Sequence, residues 1–173
     1  MNQNQIDYSS EQKHTISLHV ANRPGVLIRI ALVFARRGYN IDSLVVSPAS
    51  NPDYSMMNIV AKGDKRTLTQ ILKQLNKLID VVHATDHTGE DILQKELALI
   101  KISCTQQERS EVLQLAHAMK CDIIDISELV VTLQITGGSE ELDNATQVLG
   151  AYEVIEIVRT GKVLMAKGAE HTA

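Results

Sequence analysis

The sequence predicts an α+β fold made of two tandem ferredoxin-like βαββαβ modules, and three observations support this prediction. Strand-like alternation and helix-like periodicity follow each other in the same order twice along the 173 residues. Gly-containing turns separate many of these segments. The length suits one ordinary domain or two small ones, at about 150 residues per domain. Because each module is small and would bury little core alone, we expect an oligomer.

The first module covers residues 14–88. Residues 14–21 alternate apolar and polar side chains, which predicts a half-buried strand. A turn at residues 22–25 separates this strand from an amphipathic helix over residues 26–37. The other predicted elements are strands over 39–47 and 54–61 that form a hairpin, a helix over 65–78 and a strand over 81–86.

The second module covers residues 95–168 and repeats the order of the elements, although not the sequence. Ser139 is predicted to cap its second helix. The predicted strands cover 96–103, 121–127, 129–136, 152–159 and 163–166, and the predicted helices cover 108–119 and 140–149. Residues 88–91 link the modules, and the segments 1–13 and 169–173 are predicted to be flexible ends.

Composition and charge exclude several classes of protein. The hydrophobic fraction of 44% is too high for a disordered chain, and no apolar run approaches the roughly 18 residues of a membrane span. Residues 1–13 lack the basic and apolar regions of a secretory signal, so we expect a cytoplasmic location. The net charge of −4, with only one Phe and four Tyr, argues against a nucleic-acid binder, because RNA-binding modules of this topology stack bases on aromatic side chains.

No residue pattern indicates catalysis or a metal site. The chain lacks the nucleophile elbow, the P-loop and the dinucleotide-binding glycine motif. His83 and His87 are four residues apart, but they fall on a predicted strand end and loop, where this spacing does not bring two metal ligands together. Cys104 and Cys121 form no CxxC pair and are expected to be small buried hydrophobic residues. We therefore assign no catalytic residue and no metal ligand.

The turn between the first strand and the first helix is the most informative segment. A helix N-terminus presents unpaired N–H groups, which favour an anion such as a carboxylate. Gly25 allows a ligand to approach closely, and Asn22 offers a donor and an acceptor, so the turn suits the charged end of a free amino acid. The alternative is a plain turn with a capping Asn22. Asn40 opens the second predicted strand and is either a polar edge residue or a ligand contact from a neighbouring strand or partner chain.

Residues 14–48, HTISLHVANRPGVLIRIALVFARRGYNIDSLVVSP, resemble the opening of the regulatory (small) subunit of acetolactate synthase, also called acetohydroxyacid synthase. The matching residues include Asn22, Gly25, Leu27, Arg29, Phe34, the run 37–41, Ser43 and Leu44. Residues 73–81, 96–102 and 123–126 are also similar to segments of this family. The resemblance covers most of the chain, from residue 14 to residue 166.

The resemblance implies that the first module is an ACT domain, which binds small amino acids, and that the second is a ferredoxin-like or ACT-like domain. It also implies a homodimer through the ACT domains, with valine or another branched-chain amino acid bound at the interface. Position by position, the effector contacts fall on Asn22, Gly25, Val26 and Leu27 of one chain and on Asn40 and Ile41 of the other.

The function that the resemblance implies is regulation without catalysis by this chain. The chain would activate the thiamine-diphosphate-dependent catalytic (large) subunit and relay feedback inhibition in branched-chain amino acid biosynthesis. Thiamine diphosphate, Mg²⁺ and often FAD would belong to that partner, and no cofactor is assigned to this chain. The main alternative is a free-standing ACT-domain amino-acid sensor that acts on a different partner. A small enzyme of ferredoxin-like fold is a further alternative.

Overall fold

The computed structural model describes residues 12–173, and the chain divides into two compact units. The first unit runs to Leu93 and also contains Leu164–Ala173, whereas the second unit is Gln94–Val163. The predicted flexible end 1–13 lies largely outside the described residues. Its last two residues, Gln12 and Lys13, already belong to the first strand.

The first unit has the predicted βαββαβ order. Its strands are β1 (Gln12–Ala21), β2 (Asn40–Pro48), β3 (Tyr54–Gly63) and β4 (Val81–Asp86), and its helices are α1 (Val26–Ala35) and α2 (Lys65–Leu75). The antiparallel sheet has the order β2-β3-β1-β4, so β2 and β4 are its edges. Helix α2 ends before the predicted residue 78, because the side chain of Asn76 bonds both backbone groups of Ala84 in β4.

The alternation along β1 builds the core of the first unit. Ile16, Leu18 and Val20, which were predicted to share one face, are buried in one cluster with residues of both helices, including Ile30 and Ile71. Burial of such aliphatic side chains contributes about 1.5–3 kcal/mol each to folding. The predicted fold class is confirmed.

The opposite face of the first sheet carries a buried polar network that includes the C-terminal segment. Ser17 Oγ donates to the carbonyl of Thr172 at 2.8 Å. His87 is buried, and its two ring nitrogens lie 2.6 Å from Ser17 Oγ and 2.6 Å from a carboxylate oxygen of Glu90. Buried polar groups require hydrogen-bond partners, and the Thr172 carbonyl is one for Ser17. This carbonyl therefore has a defined position, although the sequence assigns residues 169–173 to a flexible end.

The second unit repeats the topology. Its elements are β5 (Leu93–Ser103), α3 (Gln106–Ala118), β6 (Asp122–Ile126), β7 (Val130–Gly137), α4 (Ser139–Leu149) and β8 (Glu153–Arg159), with the sheet order β6-β7-β5-β8, and a short strand β9 (Val163–Met165) follows. Cys104 and Cys121 are free thiols in its core cluster, as expected for small buried hydrophobic residues. Burial raises the pKa of the Cys121 thiol, which keeps it protonated.

The prediction that Ser139 caps α4 is wrong. The N-cap residue is Gly138, whose N–H donates to the carboxylate of Glu141 at 2.7 Å. The hydroxyl of Ser139 donates instead to Glu96, a carboxylate that is buried next to it. A buried carboxylate needs hydrogen-bond donors, and it therefore competes successfully for the hydroxyl.

Candidate effector-binding site

Helix α1 begins without a capping side chain from the described part of the chain. Its N-cap residue is Gly25, at φ 84° and ψ −9°, a left-handed conformation that favours glycine. Among residues 12–173, no side chain accepts a hydrogen bond from the first turn, and this turn contains no acidic residue. The other described helices each have a carboxylate at the start, from Asp64 in α2, Glu108 in α3 and Glu141 in α4. The N–H groups at the start of α1 therefore remain available to an external anion.

Asn22 holds the turn that precedes α1. Its backbone N–H donates to the carbonyl of Asp53 at 2.8 Å, and its side-chain Nδ2 donates to the carbonyl of Pro52 at 3.0 Å. These bonds tie the turn to the loop between β2 and β3. The side-chain Oδ1 bonds no residue between 12 and 173, so it is an acceptor that suits an ammonium group.

Val26 and Leu27 differ in what they present to a ligand. The side chain of Val26 is buried in the core, so only its backbone N–H faces the start of the helix. That N–H makes a long hydrogen bond of 3.4 Å with the carbonyl of Arg23. Leu27 is 42% exposed and offers an apolar contact beside the turn.

Arg29 brings a cation to the same turn. Its Nη1 lies 3.2 Å from the position that a Cβ on Gly25 would take, and its Nε and Nη2 lie 2.9 Å and 2.7 Å from Asp80 Oδ2. In the sequence, Arg29 stands out only as one of the residues that match the family. Asp80 is 51 residues away, so local spacing could not reveal the pair. One feature of the sequence could have drawn attention to Arg29: it is a cation near a helix N-terminus, where the helix dipole disfavours positive charge.

Asn40 lies at the opposite end of the sheet from Asn22. Ala21, the last residue of β1, faces Tyr54 of β3, whereas Asn40 faces Lys62 of β3. These two β3 residues are eight positions apart, which corresponds to roughly 26 Å along a strand. A single chain therefore brings together Asn22 and the start of α1, and it does not bring Asn40 to them.

The other residues predicted at this site are at the start of β2. The side chain of Asn40 is exposed and donates to Asp42 at 3.1 Å. Ile41 is partly buried and packs against the core cluster of the first unit. Both residues lie on an edge strand, where a second chain has access to them.

His83 lies in β4 and His87 directly follows it, but the two side chains have different environments. His83 is exposed on the strand, whereas His87 is buried and engaged by Ser17 and Glu90. In the part of the chain from residue 12 onward, no three His, Cys, Asp or Glu side chains are grouped to hold a metal. Over the same residues, no helix is long and apolar enough to cross a membrane.

Comparison with known proteins identifies the family. A family model described as the small subunit of acetolactate synthase matches residues 95–168, and one described as an AHAS small subunit-like ACT domain matches residues 16–83. The probable acetolactate synthase small subunit of Methanothermobacter thermautotrophicus is 39% identical over 157 residues, which cover 90% of this chain and 94% of that protein. The chain belongs to the acetolactate synthase small-subunit family. Its first unit contains the ACT domain that the resemblance implied.

Two further members of the family support this conclusion. The acetolactate synthase small subunit of Mycobacterium bovis is 38% identical over 159 residues, covering 92% of this chain and 95% of that protein. The crystal structure of the acetolactate synthase small subunit from Thermotoga maritima superimposes with a TM-score of 0.82 at 36% identity, covering 92% of this chain and 99% of that one. The resemblance found in the sequence is thereby confirmed at the level of the family.

Proposed function

We propose that this chain is the non-catalytic regulatory subunit of an acetolactate synthase. It activates the thiamine-diphosphate-dependent catalytic subunit and confers feedback inhibition by valine or another branched-chain amino acid. Thiamine diphosphate, Mg²⁺ and FAD, where FAD is used, belong to the catalytic partner. The observation that carries the effector assignment is the uncapped start of α1 at Gly25, beside Asn22.

The turn offers one group for each part of an amino acid. The first-turn N–H groups after Gly25 receive the α-carboxylate, since an anion is favoured at a helix N-terminus. Asn22 Oδ1 accepts from the ammonium group, and Leu27 contacts the apolar side chain. The overall charge of −4 does not attract an anion, so the local backbone geometry has to provide the attraction.

A second copy of the chain supplies Asn40 and Ile41. Strand β2 is an edge strand, and its last residue, Pro48, lies at the end of the sheet where β1 stops and the 22–25 turn begins. When two β2 edges pair in antiparallel fashion, the first residues of one strand lie beside the last residues of the other. Such pairing would place Asn40 and Ile41 of the second copy at the 22–25 turn of the first.

Exposed apolar side chains support this mode of association. Ile28 and Leu32 on α1 are 66% and 45% exposed, and Val46 on β2 is 45% exposed. Large apolar side chains on one helix and the neighbouring edge strand are typical of a protein interface. A dimer formed there would bury them and complete the effector site at the same time.

Regulation follows when the effector binds one arrangement of this dimer better than another. The effector then shifts the population towards that arrangement, and the catalytic subunit responds to the shift. Couplings of this kind are typically about 1–3 kcal/mol and are reciprocal. The catalytic subunit should therefore change the effector affinity of this chain by the same factor by which the effector changes the affinity between the subunits.

The first test of this proposal is reconstitution with an acetolactate synthase catalytic subunit. We expect the full-length chain to co-purify with that subunit and to increase its rate with pyruvate. We also expect calorimetric titration of the chain to show binding of valine, leucine or isoleucine. Failure to bind or activate the catalytic subunit would refute the regulatory role and favour a free-standing amino-acid sensor.

The second test concerns the site residues. Asn22→Ala removes the acceptor for the ammonium group, and Gly25→Asp places a carboxylate on the anion position and a side chain at φ 84°. Both changes should abolish inhibition by valine and leave activation of the catalytic subunit largely intact. Asn144→Ala, at an exposed position of α4, is the matched control and should change neither property. Unchanged inhibition in both site variants would contradict the assignment.

A further inference from the structure

Arg29 lies where the electrostatics of a helix disfavour a cation. It is in the first turn and a half of α1, whose N-terminal end carries partial positive charge. No acidic residue in the first turn compensates this charge. The only carboxylate that Arg29 contacts among residues 12–173 is that of Asp80, through Oδ2 alone. The ion pair with Asp80 offsets part of this unfavourable interaction, and it engages two of the three guanidinium nitrogens.

Asp80 fixes the direction in which the guanidinium points. Its side chain is only 14% exposed, and its backbone carbonyl accepts the N–H of Ala21 at 2.8 Å, which ties it to the end of β1. The guanidinium is planar, and Asp80 engages Nε and Nη2. The remaining nitrogen, Nη1, donates no hydrogen bond to any residue between 12 and 173.

Gly25 keeps the space beside Nη1 open. A Cβ at this position would lie 3.2 Å from Nη1, so any larger side chain would press against the guanidinium. The backbone at φ 84° also favours glycine. The first-turn N–H groups of α1 and Nη1 of Arg29 therefore flank the same small region next to the glycine.

We propose that Arg29 is a specificity-determining residue that pairs through Nη1 with the α-carboxylate of the bound amino acid. This inference rests on the proposed function, because it requires an amino-acid effector at the start of α1. Hydrogen bonds between a guanidinium and a carboxylate are roughly twice as strong as neutral ones, so Arg29 selects a free carboxylate over a neutral amide. Asp80 is a positioning residue that acts through Arg29.

The test compares valine with valinamide, which keeps the side chain and the ammonium group but has no carboxylate. Titration calorimetry of the full-length chain at a pH of about 6.5 keeps both α-amino groups protonated. We expect Arg29→Gln to weaken valine binding about 10- to 100-fold, the range for loss of a hydrogen bond to a charged group. Valinamide binding should change much less, so the preference for valine over valinamide should fall at least about tenfold.

Three further variants separate the role in binding from a role in folding. Arg36→Gln, at the other end of α1, is the matched control and should leave the preference for valine unchanged. Asp80→Asn keeps the cation but loosens it, and should reduce the preference less than Arg29→Gln does. Arg29→Lys keeps the charge without the planar fork and should retain part of the preference. The Lys variant also supplies the measurement if the Gln variant does not fold.

The possible outcomes distinguish this inference from the proposed function. A loss of preference in Arg29→Gln, with Arg36→Gln unchanged, supports the assignment. Equal weakening of valine and valinamide would overturn it and would leave Arg29 with a structural role only, while the proposed function would stand. If titration of the wild-type chain with valine, leucine or isoleucine gives no more heat than titration of buffer, the proposed effector function itself is refuted.

Discussion

The two units have the same topology but begin their first helices in opposite ways. In the second unit, α3 starts with a capping box, in which Thr105 accepts from the N–H of Glu108 and the Glu108 carboxylate accepts from the N–H of Thr105. In the first unit, α1 starts at Gly25, with no capping side chain from residues 12–173 and no acidic residue in its first turn. One helix start contains its own carboxylate, and the other has none.

This difference supports the proposal that the first unit, and not the second, binds the effector. A capping box satisfies two N–H groups internally and already places a carboxylate at the helix start, so its contribution is to stability. A helix start without such a group gives up that stability and gains an anion site. Arg29 adds a second donor to the start of α1. Asp80 holds it beside the Gly25 turn, and its Nη1 has no partner among residues 12–173.

The largest expected effect is the loss of stability that follows when a buried ion pair of the second unit is broken. The Glu96 side chain is 7% exposed, and Arg159 holds it through Nη2 at 2.8 Å and Nε at 3.2 Å. Arg159→Met would leave a buried carboxylate without its cation, which should lower the free energy of unfolding of the second unit by about 3 kcal/mol. Hydrogen exchange resolved by residue should show faster exchange in β5 and β8, with β1 and β3 of the first unit unchanged.

An exposed ion pair in the same sheet provides the control. Lys101 and Glu156 are 2.9 Å apart, and both side chains are about half exposed. Lys101→Met should therefore change the free energy of unfolding by less than about 1 kcal/mol. Comparable losses for Lys101→Met and Arg159→Met would contradict the view that burial of Glu96 sets the size of the effect.

The next prediction concerns a substitution that gives the start of α1 a carboxylate of its own. Ile28 is the third residue of α1 and is 66% exposed, and Glu141 at the same position of α4 reaches back to the N–H of a glycine N-cap. Ile28→Glu would place a carboxylate at the start of α1, where it competes with the effector carboxylate for the same N–H groups. We expect at least about tenfold weaker valine binding by calorimetry, which corresponds to about 1.4 kcal/mol.

The control for this change is Ile28→Gln. The Gln side chain has the same size and removes the same exposed apolar surface from α1, but it has no charge. It should weaken valine binding much less than Ile28→Glu does, and both variants should activate the catalytic subunit. Equal effects of Glu and Gln would indicate that Ile28 acts through packing, for example between two copies of the chain, and not through competition for the anion position.

Local pattern was sufficient to predict the elements and their order. The alternation of Ile16, Leu18 and Val20 identified β1 and its buried face, because a strand places every second side chain on one side. The turn and the helix start are contiguous in the sequence, so Asn22 and Gly25 could be proposed as candidates, with a plain turn as the alternative. Helix ends were less accurate, because α2 stops where Asn76 bonds Ala84, a contact outside the helix.

Contacts between distant residues could not be predicted from the sequence. The pair of Arg29 with Asp80 and the bond of Ser17 to Thr172 join segments that are brought together only by the folded sheet. The cap of α4 was assigned to Ser139 for the same reason, because nothing near it in sequence indicates that Glu96 lies within reach of its hydroxyl. Specific polar partners depend on tertiary structure, whereas hydrophobic periodicity does not.

The smallest expected effect is a change in the pKa of Glu108, which reports on the capping box at the start of α3. Hydrogen bonds from the N–H and the hydroxyl of Thr105 lower the pKa of Glu108 below its ordinary value of 4.5. Because the pKa is lower in the folded chain than in the unfolded one, the stabilisation is present above pH 4.5 and is lost as the pH falls through the folded pKa. Carbon-detected NMR of the side-chain carboxylates should show this lowered midpoint.

Thr105→Ala removes the hydroxyl and should raise the Glu108 midpoint part of the way to 4.5, because the N–H donor remains. Asp64 provides the control within the same spectrum. Its pKa is lowered by hydrogen bonds from Thr67 at the start of α2, so Thr105→Ala should leave its midpoint unchanged. A wild-type Glu108 midpoint at the ordinary value would show that the box does not hold in solution. The starts of α1 and α3 would then not differ in capping, and this difference could no longer support the proposal that the effector binds to the first unit.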